Sequence, residues 1–166
     1  MNEAEEWIEK LRLGKHPEGG HYRETYRSDE ILTKDALPAR FSGNRSFCTA
    51  IYFLLRGKEF SAFHRIKRDE MWHFYDGSAL TIHIIDQNGD YSEIKIGRSL
   101  MENALPQAVV KAGCFFAASV NDPRSFSLTG CTVAPGFDFA DFEMPTRKEL
   151  CDRFPMHREI IERLTY

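Results

Sequence analysis

Eight short strand candidates lie between residues 46 and 134 and constrain the fold more than any other feature of the chain. They fall at residues 46–55, 60–65, 70–75, 79–85, 91–96, 107–111, 114–120 and 126–134. Strands this short and this closely spaced cannot bury a face alone. They fold as an antiparallel sandwich or barrel, with alternate side chains pointing inward. Asp76-Gly77 and Asn88-Gly89 are the two dipeptides best suited to tight turns, and each reads as the closure of a hairpin.

The flanks add helices to this β framework. Residues 2–13 read as a helix with Asn2 as N-cap, acidic Glu3, Glu5 and Glu6 at its positive end, and an apolar stripe of Trp7, Ile8 and Leu11. Tyrosine and charge then alternate over residues 20–27 as in an amphipathic strand. A polar loop expected to be mobile follows over residues 28–44. From Pro135 the run A-P-G-F-D-F-A-D-F-E-M-P reads as an irregular segment pressed onto the barrel. Thr146 and Glu149 have the spacing of a capping box opening a helix to about residue 153, and a second helix is expected at about 156–164. With no repeat or linker, all 166 residues read as one domain, its barrel spanning about residues 20–134.

Charge narrows the partners. The chain has 22 Lys and Arg against 25 Asp and Glu, a net charge of -3, and no basic stretch dense enough to track phosphates, so nucleic acid is not expected. The N-terminal M-N-E-A-E-E-W-I-E-K-L lacks the basic and apolar regions of a secretory signal. No apolar run approaches the roughly 20 residues of a membrane span. A cytoplasmic location without membrane association is the expectation. Cys48, Cys114, Cys131 and Cys151 have no C-x-x-C spacing and read as free thiols.

The chemistry concentrates in S-A-F-H-R-I-K-R-D-E-M-W-H-F-Y-D-G, residues 61–77. The spacing of His64, Ile66, Glu70 and Gly77 resembles the first motif of the cupin superfamily, in which two histidines one residue apart and a glutamate enter a small barrel and usually hold a metal. Ile66 stands where the second histidine would be. Further blocks resemble the cupin-5 family in particular: H-P-E-G-G-H-Y-R-E-T-Y-R at 16–27, T-A-I-Y-F-L-L at 49–55, V-V-K-A-G at 109–113 and L-T-G-C-T-V-A-P-G-F-D-F-A-D-F at 128–142. The resemblance implies an all-β, double-stranded β-helix of the jelly-roll type with short terminal helices, and a homodimer, but no settled activity. It also implies that the last metal histidine would fall at Phe116. Two ligands out of four do not make a conventional site, so no cofactor is expected.

Three functional readings follow. The first is a metal-independent isomerase or epimerase acting on a carbohydrate-like or keto-acid substrate, with His64 as base, Glu70 tuning or sharing the proton, and Tyr52 or Tyr22 able to supply a phenol. Glu18 and Arg23 would stand at the pocket rim, the arginine suited to a carboxylate or phosphate on the ligand. Trp72 shares the alternation face of Glu70 and would line the pocket, as would Phe116. The second reading is a cupin that binds a small metabolite without catalysis. The third is a metal-dependent oxygenase or isomerase. If Asp76-Gly77 closes a two-residue loop, Glu70 faces His83, and His64, Glu70 and His83 become a candidate divalent-metal set. Without a metal, His83 would be a polar partner of Glu70 in the pocket.

Overall fold

The computed structural model describes residues 2–99, 101 and 103–166. Its strands are β1 (Gly14–Lys15), β2 (His21–Arg27), β3 (Ile31–Leu32), β4 (Arg45–Ser46), β5 (Thr49–Arg56), β6 (Phe60–Ile66), β7 (Glu70–Gly77), β8 (Leu80–Ile85), β9 (Tyr91–Ile96), β10 (Gln107–Val110), β11 (Phe115–Val120), β12 (Phe126–Val133) and β13 (Phe142–Glu143). All eight expected stretches are strands. They form a six-stranded sheet ordered β1-β2-β5-β12-β7-β10 and a five-stranded sheet ordered β13-β6-β11-β8-β9, with every pairing inside these two sheets antiparallel. From β5 to β8, and again from β9 to β12, successive strands alternate between the sheets, which is the winding of a jelly roll. Phe53, Leu55, Trp72, Ile82, Ile84, Phe116 and Val133 fill the space between the sheets.

This winding corrects one expected turn. Asn88-Gly89 closes a hairpin between β8 and β9, but Asp76-Gly77 does not join β7 to β8. Both edges of β7 are taken by β12 and β10, and both edges of β8 by β11 and β9. At Gly77 the backbone takes φ +89°, and a Cβ there would stand 2.2 Å from the Phe126 carbonyl oxygen. Ser78 donates its N–H to that same oxygen at 2.7 Å as the chain crosses to the other sheet. Glu70 and His83 therefore lie in different sheets.

Helices cover the outer faces. α1 (Glu3–Leu11), capped by Asn2, packs Trp7, Ile8 and Leu11 against Leu54, Phe126 and Leu128 outside the six-stranded sheet. α2 (Arg147–Arg153), opened by the capping box of Thr146 and Glu149, and α3 (Arg158–Arg163) bury Leu150, Cys151, Ile161 and Leu164 against Phe63, Ile85 and Phe115 of the other sheet. Among the described residues, no helix is long and apolar enough to cross a membrane. The four cysteines are free.

The segment after β12 is tied down by charge. Asp141 accepts a bidentate pair from Arg45 at 2.6 and 2.7 Å and a further bond from Arg68, all buried. The guanidinium groups of Arg45 and Arg68 also lie over the ring of Phe41 at 5.8 and 5.4 Å. This knot joins the loop that follows β3, the turn after β6 and the Phe137–Phe142 stretch. It also gives the polar loop over residues 28–44 a β3–β4 ribbon and the buried Phe41 as fixed points.

Candidate functional site

A cavity of about 840 Å³ opens between the sheets, within the range usual for small-molecule sites. Its lining includes Glu18, His64 and Glu70, apolar walls of Ile51, Phe53, Ile66, Val133 and Phe142, and Arg12, Lys15, Arg23 and Arg27. Glu18, His64 and Glu70 are only 6%, 2% and 9% exposed.

The turn His16-Pro17-Glu18-Gly19-Gly20 delivers Glu18. Gly19 takes φ +114°, and a Cβ there would stand 2.1 Å from the Phe60 carbonyl oxygen, so glycine is needed for both conformation and space. The close approach is to the barrel wall. The Glu18 carbonyl accepts the Ala62 N–H at 2.7 Å, which fixes the turn to β6. From there the carboxyl reaches inward, with Ser61 Oγ donating to Oε1 at 2.8 Å and His64 Nε2 lying 3.1 Å from Oε2.

Ser61 and His64 converge on one carboxyl because of a β-bulge. Ser61 pairs with Ala118 and His64 with Phe116, so three steps along β6 match two along β11. Regular alternation would turn Ser61 to the outer face. With the bulge, both side chains point into the space that Ala118 and Phe116 help fill. The imidazole is then held between the rings of Phe116, at 4.1 Å between centroids, and Phe142, at 5.4 Å.

The protonation of this pair follows from its partners. His64 Nδ1 lies 2.7 Å from the Ala62 carbonyl oxygen, which can only accept, so Nδ1 carries a hydrogen. Nε2 then faces Glu18 Oε2 with one proton shared between them. Burial pushes the Glu18 carboxyl above its ordinary pKa, opposed by the neighbouring His16 and the Ser61 hydrogen bond. Burial likewise pulls His64 down, opposed by the charge of Glu70 and the Ala62 hydrogen bond. Both shifts favour a neutral pair with the proton on Glu18. His16 Nδ1 accepts the Glu18 backbone N–H at 3.2 Å, and its ring meets Tyr22 edge-on at 4.4 Å.

Glu70, at the start of β7, shares this floor. Its pKa is pushed up to about 7, first by burial, with the charge of His64 lowering it and that of Glu18 raising it. Cys131 lines the cavity beside it. Its thiol is held well above its ordinary pKa by burial and by the Glu70 charge, and so is no nucleophile at neutral pH.

Of the residues singled out in the sequence, the fold brings His64, Glu70, Glu18, Tyr22 and Arg23 to the cavity. Four others lie elsewhere. Tyr52 belongs to the outward set of β5 and packs with Leu54 under α1, because Ile51 and Phe53 take the inward positions. Trp72 does face inward beside Glu70, but it is sealed in the core at 1% exposure and meets Phe53 and Phe116 edge-on. Phe116 packs behind His64 rather than lining the cavity. His83 shares the outer face of β8 with Ile85, and its partners there are Tyr91 OH at 2.7 Å and Ser119 Oγ at 2.9 Å. It cannot join His64 and Glu70 around a metal.

Ser61 and His16 were missed. The bulge that turns Ser61 inward leaves no mark in a single strand, whereas His16 stands two residues from Glu18 in the H-P-E-G-G block that carries the family resemblance.

The donor set does not fit the metal that the cupin resemblance implies. His64 Nε2 is engaged by Glu18, Ile66 and Phe116 occupy two ligand positions, and His83 is on the wrong wall. Among the described residues, no group of three His, Cys, Asp or Glu side chains is placed to hold a metal ion.

Comparison with known proteins agrees with this architecture. A protein of Shewanella oneidensis with a known crystal structure is 38% identical and superposes with a TM-score of 0.90 over 100% of this chain and 99% of that one. A hypothetical protein from Leishmania major is 32% identical, with a TM-score of 0.88 over 99% of each chain. An uncharacterized protein of Saccharomyces cerevisiae is 29% identical over 143 residues, 81% of this chain and 71% of that protein. Oxalate decarboxylase from Bacillus subtilis shares the fold alone, at 12% identity and a TM-score of 0.54, over 90% of this chain and 36% of that one. The family described as Cupin superfamily (DUF985) matches residues 5–145, more than four-fifths of the chain, and the protein therefore belongs to this Cupin_5 family.

Proposed function

We propose that this cupin is a metal-independent isomerase or epimerase that moves a proton at a carbon beside a carbonyl, on a carbohydrate-like or keto-acid substrate. One observation carries the reading. Two carboxyls pushed up in pKa and one imidazole pulled down share the lining of one cavity. Groups tuned in this way are what proton transfer near neutral pH requires.

The roles follow from the hydrogen bonds. Both ring nitrogens of His64 are engaged, one by the Ala62 carbonyl and one by Glu18. Glu70, with a pKa near neutrality, is the group divided between acid and base forms, and so takes the role of base. The Glu70 carboxylate accepts the proton from the carbon, and the C–H electron pair moves into the enolate. The proton held by Glu18 and His64 passes to the enolate oxygen, and when Glu70 returns its proton to carbon the O–H proton goes back to the Glu18–His64 pair as the carbonyl re-forms.

The test is solvent exchange. Small keto acids and keto sugars are incubated with the protein in D2O, and loss of the proton beside the carbonyl is followed by NMR. The parent protein should exchange at least one substrate class, and Glu70→Gln should exchange it roughly 100-fold more slowly or worse. Ligand binding with no exchange would instead identify a metabolite-binding cupin. Equal exchange by parent and Glu70→Gln would remove the assignment of the base.

A further inference from the structure

We infer that the ligand of this cavity carries an oxyanion, a carboxylate or phosphate, which Arg12 and Arg23 receive at the mouth while the uncharged part of the molecule reaches the floor. This rests on the reading of the cavity as a small-molecule site and adds the class of ligand.

Four cationic side chains line the cavity, and two are already committed. Arg27 makes two bonds to Glu24, at 2.8 and 2.7 Å, and two more to the Phe137 carbonyl. Lys15 stands 3.4 Å from Glu59. Among the described residues, neither Arg12 nor Arg23 has a hydrogen-bond or ion-pair partner for its side chain. Two exposed guanidinium groups with all their donors in solvent, beside an apolar cleft, are suited to bidentate capture of an oxyanion.

Arg12 supplies an independent sign. It ends α1 in the left-handed conformation, at φ 53° and ψ 49°, a position that helices usually fill with glycine because a Cβ is disfavoured there. The arginine contributes nothing to the cap itself, since the capping bonds come from its backbone N–H to Glu9 and Ile8. A side chain that stands where glycine would serve the backbone better, and that lines the cavity, is explained by what it meets there.

The charge layout gives the ligand a direction. At the floor Glu70, as its carboxylate, repels a second anion, and the protonated Glu18 suits a neutral acceptor, while Ile51, Phe53, Ile66 and Phe142 supply apolar wall. An oxyanion is therefore favoured only at the mouth, and a carbonyl or hydroxyl only below. A molecule charged at both ends, or at neither, loses one half of this match.

The experiment uses benzoate and phenyl phosphate as anionic probes and benzamide as the neutral match, with the full-length parent, Arg12→Gln, Arg23→Gln, the double variant, and Arg98→Gln as a control of equal charge change outside the cavity. Affinities are read by calorimetry at two salt concentrations. At least one anion should bind the parent more tightly than benzamide and weaken with salt. The double variant should lose about tenfold or more of that affinity while Arg98→Gln loses none. Preference for one anion over the other decides between carboxylate and phosphate. The inference is overturned if benzamide binds as tightly as both anions, if neither anion binds, or if the double variant binds them as the parent does. Exchange without selective anion binding would leave the proton-transfer reading standing and remove this one. Selective anion binding without exchange would do the opposite.

Discussion

Replacing Glu70 by glutamine should change the way stability depends on pH. The carboxyl has an ordinary pKa of 4.5 and about 7 in the fold, where burial is the main cause. That difference disfavours the ionised form in the native state by about 3 kcal/mol. Between pH 4.5 and about 7 the folded protein keeps a proton that the unfolded chain has released. The stability this group contributes is thus fully present below pH 4.5 and is lost as pH rises through 7. Glutamine keeps the shape and cannot ionise, so the variant should gain on the parent steadily across this window, reaching about 3 kcal/mol by pH 8. His16 and His64, pulled down by burial, act in the other sense, adding stability as pH rises toward 6.5. His16 is common to both proteins and cancels in the difference, whereas loss of the Glu70 charge lowers His64 further and adds to the variant's gain as pH rises. Urea unfolding followed by the fluorescence of Trp7 and Trp72, at half-unit steps from pH 4.5 to 8, measures it. Parallel profiles for the two proteins would show that Glu70 is not the buried, near-neutral acid on which the proposed chemistry depends.

Two further outcomes test the framework. Asp141→Ala leaves the buried guanidinium groups of Arg45 and Arg68 without their shared carboxylate, and should cost about 3 to 5 kcal/mol in chemical denaturation. A loss below 1 kcal/mol would mean that the Phe137–Phe142 wall is held by its aromatic contacts instead. Gly19→Ala puts a Cβ 2.1 Å from the Phe60 carbonyl oxygen at a φ of +114°, and should destabilise by well over 1 kcal/mol while loosening the Glu18–His64 contact. A neutral effect on melting temperature and on the titration of His64 by NMR would show that the turn is not what positions Glu18.

The sequence and the structure divide along the distance over which each signal acts. Strand positions, the capping box at Thr146, the Asn88-Gly89 hairpin and the cupin spacing of His64 and Glu70 were legible, because each depends on residues within a few positions of one another. The same local logic failed at Asp76-Gly77, where the dipeptide suits a hairpin but both neighbouring strands already have their edges filled from elsewhere in the chain. His83 was lost to the floor for that reason, and Tyr52 because its strand gives the inward positions to Ile51 and Phe53. By itself the sequence determined a jelly roll carrying a histidine and a glutamate without the remaining metal ligands. Only the tertiary structure decided that Glu18, brought by a glycine turn from another part of the chain, is the partner of His64, and that a bulge in β6 turns Ser61 to meet it. Register between strands is settled by the packing of the two sheets together, and no single strand contains it.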